Sequence, residues 1–319
     1  MAKPIYAGTY NNRGGGRWKT VFVIIILIQV ALVAAYMIWQ KDKKTDDPEI
    51  ADTPEPAVPA MMSTPEPLVP GIPEPIHSVE ASPAILSAIS DAEAALEAGQ
   101  LLEAKSQLDD IVARSPNDKA IELLGDVNIR LLKSSIPMPG KERYSIQPGD
   151  YLQKIAKKYN TTVALIKDMN GMQTDTIRAG AALVVYNGDF SIRVSKSRNT
   201  LDLMAGEKLF KRYPVGTGKF GKTPAIKFEI VDKITEPPWT RFTDGKQIEY
   251  GDPENVLGTR WMKIVSDEHP EITGFGIHGT WERDSIGKQS SAGCIRMLNE
   301  DVEELFDIVP RKTTVIISD

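Results

Sequence analysis

Cys294 is the single cysteine of the 319-residue sequence, and it stands in Ser291-Ala292-Gly293-Cys294-Ile295-Arg296, downstream of Gly276-Ile277-His278-Gly279-Thr280. A thiol near neutral pH is mostly protonated, and it becomes a strong nucleophile when an imidazole takes its proton. Cys294 with His278 therefore suits covalent chemistry at a carbonyl. The alternative for an isolated cysteine is a small buried apolar side chain; the flanking Gly293 and the upstream His278 argue for the nucleophile. Of the other two histidines, His77 lies in a proline-rich stretch and His269 adjoins Pro270 in an expected surface turn, so His278 is the better base. Two histidines and one cysteine without paired spacing do not make a zinc site, and no Gly-x-Ser-x-Gly elbow supports a serine nucleophile. The residues call for neither a metal nor a cofactor.

These groups need a frame that holds them still. From Asp189 onward the sequence alternates like strands, at Phe190–Val194, Thr200–Met204, Lys208–Val215 and Phe228–Val231, with Gly and Pro turns between. Only Glu300–Ile308 has convincing helical character, so a mostly β domain is expected. If Cys294-Ile295-Arg296 is extended, Cys294 and Arg296 share one face and Ile295 points into the core. Arg296 would then bind a carboxylate or carbonyl of a peptide, or sit in a structural ion pair.

Several segments in order, Pro214-Val215-Gly216-Thr217-Gly218, Thr223-Pro224, Gly258-Thr259-Arg260-Trp261-Met262, Gly276–Thr280 and Ser291–Met297, resemble the YkuD-type L,D-transpeptidase family. The resemblance covers 189–319. It implies that Cys294 is the nucleophile, that His278 is general base and then acid, and that the Gly279 carbonyl orients the imidazole. It further implies that Gly293 and Cys294 offer backbone N–H groups to the oxyanion. Ser291 holds the place of a small hydroxyl that bonds within the site and contacts substrate, or serves a turn. The sequence departs from the family at Ala292, where many members carry a second His, and at Ile226, where a Gly usually follows Thr-Pro-x. The stretch from Thr235 to Gly258, with Trp239, Phe242 and Tyr250, has little regular pattern and is expected to form a lid or substrate wall.

Upstream, Tyr144–Asp150 alternates and then turns at Pro148-Gly149, with Asp150 and Gln153 placed for a capping box. Leu152, Ile155, Ala156 and Tyr159 form one helical face, Val163, Leu165 and Ile166 a second, and Leu183-Val184-Val185 a strand. This strand, helix, helix, strand order over 143–187 resembles a LysM domain. The resemblance implies binding to the glycan of peptidoglycan, through the loops around Gly149-Asp150 and Asn170-Gly171. Before it, 83–134 carries helical periodicity broken at Gly99 and Ser115-Pro116-Asn117, and resembles a tetratricopeptide (TPR) unit. About one and a half units are too few for a solenoid, so packing or spacing is expected there rather than a peptide groove.

Residues 41–82 are a Pro-rich linker, with Thr53-Pro54-Glu55-Pro56 and Thr64-Pro65-Glu66-Pro67. Val21–Ile38 is almost unbroken apolar sequence, roughly 27 to 30 Å as a helix, enough to cross a bilayer. The expectation is a transmembrane signal anchor at 20–40, a cytoplasmic tail at 1–19, and everything beyond the span outside the cytoplasm. The net charge of −5 and the lack of an external basic cluster exclude nucleic acid as a partner. The whole chain thus reads as multidomain: membrane helix, linker, short α-helical segment, βααβ LysM domain and mostly-β YkuD-like domain. The resemblances imply an envelope enzyme that cross-links peptidoglycan stem peptides through a Cys thioester with release of D-Ala, and that carbapenems acylate. The rivals are an L,D-carboxypeptidase and a non-catalytic wall-binding protein.

Overall fold

The computed structural model describes residues 82–241 and 243–319. The expected span at 20–40, the linker up to residue 81 and His77 lie outside the described residues. Among the described residues no helix is long and apolar enough to cross a membrane.

Three helices come first: α1 (Pro83–Glu97), α2 (Leu101–Arg114) and α3 (Asp118–Lys133). Ser82 caps α1 with Pro83 in its first turn, and Gly99 at φ +76° makes the turn into α2. Asn117 caps α3 by accepting from the Lys119 and Ala120 amides at 2.9 and 3.3 Å. Ile89, Ala92, Leu96, Leu108, Leu124 and Val127 form the core between the three helices.

The next module is β1 (Lys141–Ser145), α4 (Leu152–Lys158), α5 (Val163–Met169) and β2 (Ala182–Tyr186), with β1 antiparallel to β2. The order matches the LysM-like expectation, but the capping box does not form. The Asp150 carboxylate is drawn back by the Tyr144 hydroxyl at 2.6 Å and the Gln147 amide at 2.8 Å, which leaves Tyr151 as an N-cap without a side-chain bond. Asn170 is equally occupied. Its Nδ2 donates to the Ile166 and Val184 carbonyls and its Oδ1 accepts from the Val184 amide, so its amide ties α5 to β2 and is not free for glycan.

The last module is built from β3 (Phe190–Ser195), β4 (Thr200–Ala205), β5 (Lys208–Pro214), β6 (Thr217–Gly218), β7 (Lys227–Thr235), β8 (Trp239–Thr240), β9 (Gln247–Ile248), β10 (Arg260–Val265), β11 (Gly276–Thr280), β12 (Gln289–Ser291), β13 (Ile295–Leu298), α6 (Asn299–Ile308) and β14 (Thr314–Ser318). Eight strands form one sheet in the order β13-β11-β10-β7-β14-β3-β4-β5. β13 runs parallel to β11 and β14 parallel to β3, while the remaining neighbours are antiparallel. α6 packs over β11 and β13, burying Val302, Leu305 and Ile308. Ile226 enters β7 without positive φ and packs on the core, so the turn into β7 forms without the usual glycine.

The modules from α1 to β14 make one compact unit. α3 packs against β5, the edge strand of the sheet, where Asn128 Nδ2 donates to the Phe210 carbonyl at 2.8 Å and Gly125 lies against Lys211. Ile129 and Leu132 of α3 join a core shared with Leu152, Leu165 and Val185 of the LysM-like module and Ile192, Phe210 and Leu305 of the sheet module. Of the two roles expected for the helical segment, it is packing that these contacts describe.

Candidate active site

β11 is the buried spine of the site, with all five of its residues shielded from solvent. Register places Trp261 of β10 on one side of His278 and Arg296 of β13 on the other. Side chains directly opposite in neighbouring strands share a face. Cys294 precedes Ile295, the partner of Ile277, and the wholly buried Ile295 takes the core face as the sequence pattern requires. The Trp261 indole lies over Gly276, where a Cβ would come within 2.5 Å of its ring, and its centroid stands 5.7 Å from that of His278.

His278 Nδ1 lies 2.6 Å from the Gly279 carbonyl oxygen. A carbonyl only accepts, so Nδ1 carries the proton and Nε2 presents a lone pair. Burial pushes the imidazole down to about 4, helped by the Arg296 charge and opposed by the Gly279 and Leu257 backbones. Burial also pushes the Cys294 thiol up, against the Gly276 backbone and Arg296, which favour the thiolate. At neutral pH the Cys294 thiol and the His278 imidazole are therefore both neutral, with no preformed thiolate–imidazolium ion pair. Cys294 Sγ sits 3.7 Å from the Gly274 carbonyl oxygen.

Ser291 bonds within the site as expected, while the Gly293 N–H is not the free donor that the resemblance implied. The Ser291 hydroxyl is buried, donates to the Cys294 carbonyl at 2.7 Å and accepts from the Gly293 amide at 3.0 Å. Ser291 is thus a brace for the cysteine loop, and the Gly293 N–H is engaged within that loop. Gly293 is needed for its shape: its φ is +144°, and a Cβ there would fall 2.7 Å from the Phe275 ring. Arg296 makes an ion pair with Glu282 at 2.9 Å. Beside it is a cavity of about 670 Å³ lined by Lys219, Trp281, Glu282, Lys288, Ser290 and Arg296.

Two positioning residues escaped the sequence reading. Asn299, at the start of α6, accepts from the Thr259 amide at 3.1 Å and fills the space over Gly258 and Gly279, where a Cβ would lie 2.3 and 2.2 Å from its Oδ1. The glycines in the two motifs were the only signal, and they do not say what fills their place. Thr223, buried and named only as part of a motif, donates from Oγ1 to the Gly293 carbonyl at 2.7 Å and accepts from the Gly218 amide at 2.8 Å.

The stretch expected as a lid or substrate wall is held together by its own hydrogen bonds. β8 and β9 form a hairpin, and buried Asn255 donates to the Pro237, Ile248 and Glu249 carbonyls while accepting from the Leu257 amide. Tyr250 reaches Trp281, with ring centroids 6.5 Å apart, at the cavity beside Arg296.

Residues 189–317 match the family described as L,D-transpeptidase catalytic domain, YkuD, and residues 144–185 match the LysM domain family. The putative L,D-transpeptidase YkuD of Bacillus licheniformis is 36% identical over 55% of this chain and 98% of its own length. The putative L,D-transpeptidase YqjB of Bacillus subtilis is 38% identical over 41% of this chain and 73% of its own. Among solved structures, the catalytic domain of the Enterococcus faecium L,D-transpeptidase acylated by ertapenem aligns at 25% identity with a TM-score of 0.33, over 41% of this chain and 98% of that one. A Mycobacterium smegmatis L,D-transpeptidase aligns at 18% identity with a TM-score of 0.35, over 44% of this chain and 64% of that one. With better than one residue in three shared along nearly the full length of the B. licheniformis relative, this chain belongs to the YkuD-type L,D-transpeptidase family and carries a LysM domain beside its catalytic domain.

Proposed function

We propose that the chain is a peptidoglycan L,D-transpeptidase of the cell envelope. The observation that carries the reading is a partly exposed Cys294 just before β13, the strand paired with the β11 that carries a buried neutral His278, whose Nδ1 proton is held by the Gly279 carbonyl. His278 Nε2 takes the thiol proton as Sγ attacks the carbonyl between the third residue and D-Ala of a tetrapeptide stem. The carbonyl π pair moves to oxygen, then returns as the C–N bond breaks and the imidazolium protonates the departing D-Ala amine. An acceptor amine then attacks the thioester, giving up its proton through His278, and the thiol is regenerated. The Arg296 guanidinium, now held by Glu282, is a partner for a stem carboxylate. The LysM domain holds the glycan. The apolar run Val21–Ile38 is a signal anchor that leaves the catalytic domain outside the cytoplasm.

The test is to incubate residues 82–319 with disaccharide-tetrapeptide and follow products by mass spectrometry, with Cys294→Ala as control. A cross-linked dimer that has lost D-Ala, absent in the variant, supports transpeptidation. Tripeptide alone reassigns the chain as an L,D-carboxypeptidase. No product from fragments or sacculi, with no carbapenem adduct on Cys294, reduces it to a wall-binding protein.

A further inference from the structure

The backbone around the nucleophile can be accounted for group by group. Residues Gly293 and Cys294 carry two N–H donors and two carbonyl acceptors. The Gly293 N–H goes to Ser291 Oγ, the Cys294 carbonyl accepts from the same hydroxyl, and the Gly293 carbonyl accepts from Thr223 Oγ1. Among the described residues the Cys294 N–H has no partner. Cys294 is half-buried, and its N–H is the one backbone group of this otherwise bonded pair left without a protein partner, which calls for a reason.

The Gly293 carbonyl and the Cys294 N–H belong to one planar trans peptide, so they point in opposite directions. Whatever holds the carbonyl aims the N–H. Thr223 is well made for this. Its side chain is buried, its one proton goes to the Gly293 oxygen, and its lone pair is fixed by the Gly218 amide. Gly218 is in turn tightly fitted: a Cβ there would fall 2.8 Å from the Thr223 nitrogen and 2.9 Å from the Gly293 Cα.

Resting on the assignment of Cys294 as the acylated nucleophile, we propose that Thr223 is the positioning residue that aims the Cys294 backbone N–H at the oxyanion of the tetrahedral intermediate. As the Cys294 Sγ–C bond forms and the thiol proton passes to His278, the carbonyl π pair arrives on oxygen, and this single pre-aimed donor meets it. Thr223 touches neither substrate nor thiol in this scheme.

The experiment compares two reactions of the same sulfur in the full chain. Acylation by ertapenem passes through an oxyanion, whereas alkylation by iodoacetamide is a direct displacement that forms none. Thr223→Val removes the hydroxyl at nearly constant volume. Its acylation rate is expected to fall by about 10- to 100-fold, short of or equal to the loss of a whole oxyanion donor. Its alkylation rate stays within about twofold of wild type, and Thr223→Ser restores acylation. Equal losses in both reactions would show that Thr223 sets the thiol itself, and unchanged acylation would show that the donor needs no aiming; either overturns the proposal. If the valine chain does not fold, Thr223→Ala removes the same hydroxyl and is read the same way. Wild type that is alkylated but never acylated would instead remove the nucleophile assignment beneath the proposal.

Discussion

At the scale of single residues, the site depends on keeping His278 neutral. Its folded pKa is depressed to about 4 from an ordinary 6.5, with burial the first cause. Between those values the unfolded chain binds a proton that the folded chain refuses. The stabilising contribution is therefore present above pH 6.5 and lost as the pH falls toward 4, by up to about 3 kcal/mol. Denaturant melts of wild type and His278→Gln across that window should converge or cross as pH falls, because glutamine does not titrate. Carbapenem acylation should hold its rate down to about pH 5 and fail only as the buried imidazole protonates. An acid limb centred near 6.5 would contradict the buried neutral base. Ser291→Ala should strip a partner from both the Gly293 N–H and the Cys294 carbonyl, lowering stability by about 1–3 kcal/mol and slowing acylation, measured by melting and by adduct formation.

Among elements, the hairpin of β8 and β9 is tied down by the side chain of one amide residue. Asn255 holds three carbonyls and one N–H of the segment from Pro237 to Leu257, and Leu257 in turn faces His278. Asn255→Ala should cost about 1–3 kcal/mol by leaving those groups unpaired. It should also expose the segment to limited proteolysis and raise KM more than it lowers kcat. Unchanged turnover after excision of the hairpin would remove the wall from the substrate path. The hairpin was illegible in the sequence because its strands are two residues each, and its order comes from a side chain bonding backbone rather than from periodicity. The long strands β3, β4 and β5 were legible for the opposite reason. Their runs of strand-forming residues between Gly and Pro turns are long enough to read, even though β4 is buried on both faces from Leu201 to Met204.

Across the whole molecule, the helical segment closes the sheet. An edge strand offers unpaired backbone groups to any passing strand. α3 covers that edge at β5, with Asn128 bonding the Phe210 carbonyl and Lys211 bridging Asp126 and Glu304 at 3.1 and 2.8 Å. A chain beginning at Pro137 should therefore self-associate and melt at a lower temperature, as read by light scattering and calorimetry. A mere spacer would leave both unchanged. The same shared core ties the LysM domain to both neighbours, with Lys133 of the helical segment pairing Asp168 at 3.4 Å and the Thr162 hydroxyl donating to the Asp307 carbonyl of the catalytic domain. The glycan module is thus packed against the catalytic module rather than tethered to it.

The sequence by itself singled out Cys294 and His278 as the candidate nucleophile and base, and it set the order of secondary-structure elements along the chain. One cysteine, one well-placed histidine and the period of the apolar residues are local facts that survive without coordinates. Ile295 facing the core and Gly99 ending a helix belong to the same class. Only the tertiary structure decided which amide near Cys294 is free, which residue occupies the space over Gly258 and Gly279, and what Arg296 holds. Several of those answers rest on a hydrogen bond or close contact between segments far apart in the chain. Thr223 lies 70 residues from Gly293, and Asn299 lies 40 from Thr259. Hydrogen-bonding capacity is written in residue type, but its allocation is a property of the packed chain, because a donor spent on one partner is unavailable to every other.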